Sequence, residues 1–262
     1  MGGEFTLRTD LPSLVGYAAR PGIRVVLETN AMALSLPGRA QALADAAQGA
    51  GGSLVIRWGI AALDAKMDAI GHRKGAFTLG LRGVQEAVKS GLQVELSYAL
   101  TAAGLEGCDH LPTWMQKHLP NGTPLHVRVV KEGPASSVAR PKQAAAALRS
   151  LARACRAAEI PLHLDPRYAL PLCALTGANQ LPELFRVATS GTGDNLRRIT
   201  ACESCGIRDL CAGVDAAWVA QVGEDDFSPV HERHRRRAKG LKSGRSAREA
   251  QLAPSEGLWS EH

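Results

Sequence analysis

The feature that most constrains this chain is a repeated alternation. Short β-branched runs are separated by longer amphipathic stretches over the first two-thirds of the sequence. Residues 23–28 (IRVVLE), 53–58 (SLVIRW), 92–97 (LQVELS) and 123–130 (TPLHVRVV) read as strands, and residues 160–164 as a shorter fifth. Apolar residues at helical spacing predict helices near 10–19, 38–50, 61–70, 76–90 and 141–159. The last carries a run of Ala and Leu with a proline at its start. Strands that alternate with helices need crossover connections, so the pattern implies βαβ units and a parallel sheet. Gly22 and Gly91 stand where helices should stop and strands begin. Four or five such repeats build either an open doubly wound sheet or a partial barrel, and the period alone does not choose between them.

The 262 residues suffice for a buried core, with 45% hydrophobic, 21% charged and 4% aromatic residues, which excludes a disordered chain and an aromatic-rich β-sandwich. No apolar run reaches the roughly 18 residues of a membrane span, and the start lacks a basic segment followed by an apolar one. The expectation is a cytoplasmic protein with no membrane partner. Residues 231–248 carry eight Lys and Arg against the single Glu232, a net of +7, so a chain of net charge +6 has a body near −1. A near-neutral body argues against a dedicated nucleic-acid surface. Pro166, Pro171, Gly177 and Pro182 break the repeat after Asp165. The organisation read from this is an α/β region over 1–165, a cysteine-rich region over 166–229 and a basic, disordered tail over 230–262.

Six cysteines in a chain without a secretory signal do not make a disulfide framework. The spacing is the informative part. Cys202, Cys205 and Cys211, in TACESCGIRDLCAGV, put two thiolates on one turn and a third after a short loop, a pattern suited to a metal centre. An iron–sulfur cluster and a structural zinc site both remain open at this point. A thioredoxin-like pair fits less well, because no strand leads into the C-x-x-C. The fourth ligand preferred is Cys173, with Cys108 second, whereas Cys155 lies within the Ala/Leu helix as a small buried residue.

Other candidates carry less. Gly2, Gly3 and Glu4 form a loop of the kind that follows a strand, where the absence of Cβ lets backbone approach a ligand's ammonium or carboxylate. His163 and Asp165 lie two apart on a strand and face the same way, which also suits a strand-end hydrogen bond. His231 and His234 sit among arginines, a poor setting for a metal. The segment at Gly191 lacks the Lys and Ser/Thr of a phosphate-binding loop.

Taken in order, these segments resemble a known family. GGEFTLRTDL at residues 2–11 is similar to the "GGEPTLRPDL" segment after the second barrel strand of radical S-adenosylmethionine enzymes. Residues 25–30 (VVLETN) resemble the third-strand segment, 65–77 (AKMDAIGHRKGAF) the stretch after the fourth strand, and 83–94 the helix and strand that follow. Residues 202–229 resemble the family's C-terminal auxiliary-cluster segment, so the resemblance covers about residues 2–230. Phe5 replaces the family's proline, and no C-x-x-x-C-x-x-C is present.

The resemblance implies a partial (β/α) barrel of this type, lacking its first strands, with a cysteine-rich C-terminal extension. It implies that Gly2, Gly3 and Glu4, with Thr29 and Asn30, bind S-adenosylmethionine. It further implies that Cys202, Cys205 and Cys211, with Cys173, hold an auxiliary [4Fe–4S] cluster. The family cleaves S-adenosylmethionine reductively to modify a substrate by radical chemistry, and a peptide or protein is the substrate class that auxiliary clusters accompany. Without the three-cysteine loop, the chain reads as the C-terminal portion of a longer protein or as a degenerate member, inactive on its own. The alternative is a non-catalytic, zinc-stabilised α/β binding module whose basic tail meets an acidic partner.

Overall fold

The computed structural model describes residues 4–165, 170–175 and 195–232. Among these the protein is α/β: five strands form one parallel sheet in the order β1-β2-β3-β4-β5, flanked by helices. The strands are β1 (Arg24–Thr29), β2 (Ser53–Ile60), β3 (Gln93–Leu100), β4 (Leu125–Val129) and β5 (Leu162–Leu164). The helices are α1 (Leu11–Ala18), α2 (Arg39–Gly49), α3 (Asp64–Ile70), α4 (Ala76–Lys89), α5 (Leu111–His118), α6 (Pro141–Ala157) and α7 (Ala216–Val222). A two-stranded antiparallel ribbon pairs β6 (Leu196–Arg197) with β7 (Val214–Asp215). No helix among the described residues is long and apolar enough to cross a membrane. The contacts divide the chain into two compact units, 1–98 with 115–125, and 99–114 with 126–262. Cys202, Cys205 and Cys211 fall in the second unit, as does β5.

In the first unit, strand register sorts the side chains onto two chemically distinct faces. Leu27 stands beside Ile56 and Ile56 beside Val94, and this face continues through Leu54, Trp58 and Leu96, all buried. On the other face Glu28 stands beside Arg57 and Arg57 beside Glu95. Arg57 donates through Nε at 2.8 Å to Glu95 Oε2, and its Nη1 lies 3.4 Å from Glu28 Oε1. The other Glu95 oxygen accepts from Arg24. Glu95 is only 5% exposed, so its charge is tolerated because guanidiniums hold both oxygens. Parallel strands usually read as continuous apolar runs, and the polar positions in RVVLET, LVIRW and QVELS mark this departure.

Helix α4 buries Phe77, Gly80, Val84 and Ala87, a stripe of helical period, and packs on a 3-10 turn at Met32–Ser35. Two glycines make that approach possible. A Cβ at Gly83 would lie 1.9 Å from the Ala31 carbonyl oxygen, and one at Gly80 would lie 2.8 Å from that of Asn30. Gly22 and Gly91 take positive φ of 79° and 78°, as their positions before strands require.

In the second unit, α6 starts with Pro141 in its first turn and buries Ala144, Ala145, Leu148, Leu151, Ala152 and Cys155 on one stripe. The fully buried Trp218 of α7 donates its Nε1 at 2.9 Å to the Ala139 carbonyl, just before α6. Arg140 closes the same junction with a bidentate pair to Asp226, at 2.9 and 3.1 Å. Asp215 Oδ1 caps α7 by accepting from the Ala217 and Trp218 N–H groups.

Gly83→Ala gives a prediction with a definite sign. At an ordinary helix-interior position this change stabilises by about 1 kcal/mol. Here the added methyl meets backbone, so we expect destabilisation of about 3 kcal/mol in urea unfolding. A stabilised variant would show that α4 does not approach Ala31 this closely.

Candidate cofactor sites

Two candidate sites emerge, one within each unit. The first surrounds Glu4. A 3-10 turn at Phe5–Leu7 follows it, with Glu4 as the capping residue. Its Oε1 accepts from the Thr6 hydroxyl at 2.7 Å, the Thr6 N–H at 3.1 Å and the Thr29 hydroxyl at 2.7 Å. Its Oε2 accepts from the Asn30 N–H at 3.0 Å. The carboxylate thus ties the N-terminal loop to the C-terminal end of β1. Thr29 Oγ1 also accepts from the Ala31 N–H at 2.9 Å, and Asn30 Oδ1 from the Met32 N–H at 3.0 Å. Ala31 takes a left-handed conformation with φ 59°, which turns the chain sharply at the strand end. Glu4, Thr29 and Asn30 are therefore brought together, whereas Gly2 and Gly3 lie outside the described residues. Burial pushes the Glu4 carboxyl up, but the hydrogen bonds from Thr6, Thr29 and the Asn30 and Thr6 N–H groups outweigh it, holding the group below its ordinary 4.5.

The second site gathers cysteines. Cys173, Cys202, Cys205 and Cys211 all line one narrow pocket, together with Ile199, Ile207, Val214 and Phe227. Arg198 pins the loop that carries three of them. Its guanidinium donates to the Arg208 carbonyl and, at 2.9 Å, to the Cys211 carbonyl. Two of the sulfurs already receive backbone N–H groups, Cys205 from Val230 and Cys211 from Gly213, each at 3.4 Å. Gly213 has φ 114°, and a Cβ there would lie 2.7 Å from the Arg197 carbonyl, so the turn that aims its N–H at sulfur requires glycine. Burial pushes the Cys173 thiol up to about 12, with the neighbouring Cys211, Cys202 and Cys205 adding to the rise.

Among the described residues no three His, Cys, Asp or Glu side chains are gathered closely enough to hold a single metal ion.

The remaining sequence candidates fall elsewhere. Cys108 is buried and its thiol faces the Ala147 carbonyl at 3.7 Å, outside the cysteine pocket, while Cys155 is fully buried on α6. Burial raises these two thiols to about 11 and about 12. His163 stacks on His126, with ring centroids 4.8 Å apart, a pairing that the two-residue spacing to Asp165 did not reveal. His231 is exposed, and His234 and Gly191 lie outside the described residues. Lys131 was also missed. It is 7% exposed, 3.9 Å from Asp215 and over the Trp218 ring, and burial lowers its pKa against the opposing pull of Asp215 and Asp165. Comparisons with models of known families, with curated proteins and with solved structures each found no match.

The Glu4 hub predicts a pH signature. A carboxyl with a depressed folded-state pKa contributes stability above its unfolded value, and that contribution disappears as pH falls through the folded value. Glu4→Gln turns an amide NH2 toward donors, and should cost about 1 kcal/mol at pH 7, allowing for the half-exposed carboxylate. The gap between wild type and variant should close below pH 4.5, the group's ordinary value. A gap that persists unchanged to pH 3 would remove the charge from the explanation.

Proposed function

We propose that this chain is an iron–sulfur protein of the radical S-adenosylmethionine kind, its parallel sheet being part of a (β/α) barrel. Cys202, Cys205 and Cys211, with Cys173, hold a [4Fe–4S] cluster. Gly2, Gly3 and Glu4, with Thr29 and Asn30, bind the methionine portion of S-adenosylmethionine. The observation that carries this reading is the meeting of four thiols from two separated segments in one pocket. Three thiols on a local motif would arise in many settings. A fourth, brought from outside that loop, would not be expected of unrelated free cysteines.

The supporting chemistry lies in the protein's own groups. The Cys173 thiol, pushed up by burial, is held protonated in the absence of a cation, so metal binding there releases its proton. The N–H groups of Gly213 and Val230 reach two sulfurs and would stabilise thiolate charge there. Glu4 commits both carboxylate oxygens to protein donors, which leaves backbone groups of its loop to meet a ligand. When bound, a cluster supplies one-electron chemistry whose potential depends on hydrogen bonds to sulfur and on burial. No C-x-x-x-C-x-x-C occurs in the 262 residues, so radical generation is assigned to no residue of this chain. A peptide or protein is the substrate class we assign to the reading.

Reconstitution tests it. Anaerobic addition of ferrous iron and sulfide should give a brown protein that retains both after desalting. Cys205→Ala or Cys211→Ala should lose most of the iron, while Cys155→Ala should keep it. A colourless protein that takes up zinc alone would overturn the proposal. So would iron content that is indifferent to Cys202, Cys205 and Cys211.

A further inference from the structure

A second pocket abuts the cysteine pocket and opens to the surface. It is lined by Arg197, Arg198, Thr200, Cys202, Glu203, Arg208 and Glu224, and shares Arg198, Ile199, Cys202 and Arg208 with its neighbour. The three arginines are differently engaged. Arg198 spends its donors on the Arg208 and Cys211 carbonyls. Arg197 and Arg208 are both exposed, and among the described residues neither guanidinium has a hydrogen-bond or ion-pair partner. Of the two carboxylates, Glu224 already accepts the Thr200 N–H at 3.3 Å, and Glu203 is exposed. The lining therefore carries a net charge of +1 with two uncommitted planar forks, the geometry that carboxylates match bidentately.

We propose that this pocket binds carboxylate side chains of an acidic peptide segment, held by Arg197 and Arg208 next to Cys202. A peptide suits the mixed lining. It can set carboxylates on the two forks and turn backbone N–H groups or neutral residues toward Glu203 and Glu224. A polyphosphate backbone, charged at every unit, would meet those two carboxylates as well. The site is made of protein groups alone and stands whether or not the cysteines hold iron.

Fluorescence anisotropy on the full chain, with a fluorescein-labelled peptide alternating Glu and Gly, tests it. Binding should weaken with added salt, and the Arg197→Glu, Arg208→Glu double variant should weaken it about ten-fold or more. The neutral Arg197→Gln, Arg208→Gln pair should fall between that and wild type, guarding against a misfolded reversal variant. A control reversal of the same charge on exposed helix positions, Lys117→Glu with Arg153→Glu, should change affinity by less than about two-fold. Equal losses in pocket and control variants would overturn the proposal in favour of diffuse attraction. It would also fall if the pocket reversal had no effect while removal of 233–262 abolished binding. Glutarate or phosphate competing as well as the peptide would make the pocket a small-anion site, and tighter binding of an oligonucleotide would make it a nucleic-acid site; either result refutes it. Iron and sulfide content of the same variants, measured in parallel, keeps this outcome separate from that of the cluster.

Discussion

A carboxylate removed from water must have its oxygens satisfied, and that requirement organises the first unit. Glu95 on β3 is held by Arg57 of the adjacent β2 and by Arg24 of β1, so one buried charge couples three strands. Such a group contributes less to net stability than to choice of register, because its desolvation cost offsets most of the attraction. A slip of β2 by one residue would turn Arg57 to the apolar face and leave Glu95 partly unsatisfied. The pairing therefore fixes where β1 ends, and with it the position of Thr29 and Asn30. Glu4 repeats the logic at that end, with four donors from two segments on its two oxygens.

How much of this was legible in the sequence follows from the range of each interaction. The strands and the helices α2, α4 and α6 were visible because burial imposes a local period on them, and Pro141 marked the start of α6. β2 and β3 run further than the predicted 53–58 and 92–97, to Ile60 and Leu100. α5 is absent from the sequence reading; Pro112 falls in its first turn, where a proline is compatible with a helix. α7 is too short to show a period, and is specified instead by its Asp215 cap and the buried Trp218. The charged ladder was hidden for another reason. Each of its members sits at an ordinary polar position of its own strand, and only register brings them side by side.

The cysteines divide along the same line. Cys202, Cys205 and Cys211 were conspicuous because their spacing is local. The choice between Cys173 and Cys108 as a companion could not be made locally, and the pocket favours Cys173. Cys108 and Cys155 behave as small apolar groups in the packing of α6, where burial raises both thiols. Cys108 and Cys155 are buried, whereas Cys173, Cys202, Cys205 and Cys211 are half-buried and line one pocket, where Val230 and Gly213 aim N–H groups at two of the sulfurs.

The two candidate sites use their acidic and soft donors in opposite ways. Glu4 has its carboxylate fully engaged by Thr6, Thr29 and Asn30, so its side chain acts as a scaffold and lowers the freedom of the backbone around it. A ligand recognised there would meet a loop already held in shape, and the ordering cost of binding would be correspondingly small. The cysteine loop is held differently: Arg198 grips its carbonyls and Gly206 seats against Glu232, while the Cys205 and Cys211 sulfurs receive backbone N–H groups and the Cys211 thiol also faces the Gly213 carbonyl. A loop whose backbone is held by groups other than its sulfurs is the frame that the proposed cluster would ask of the protein.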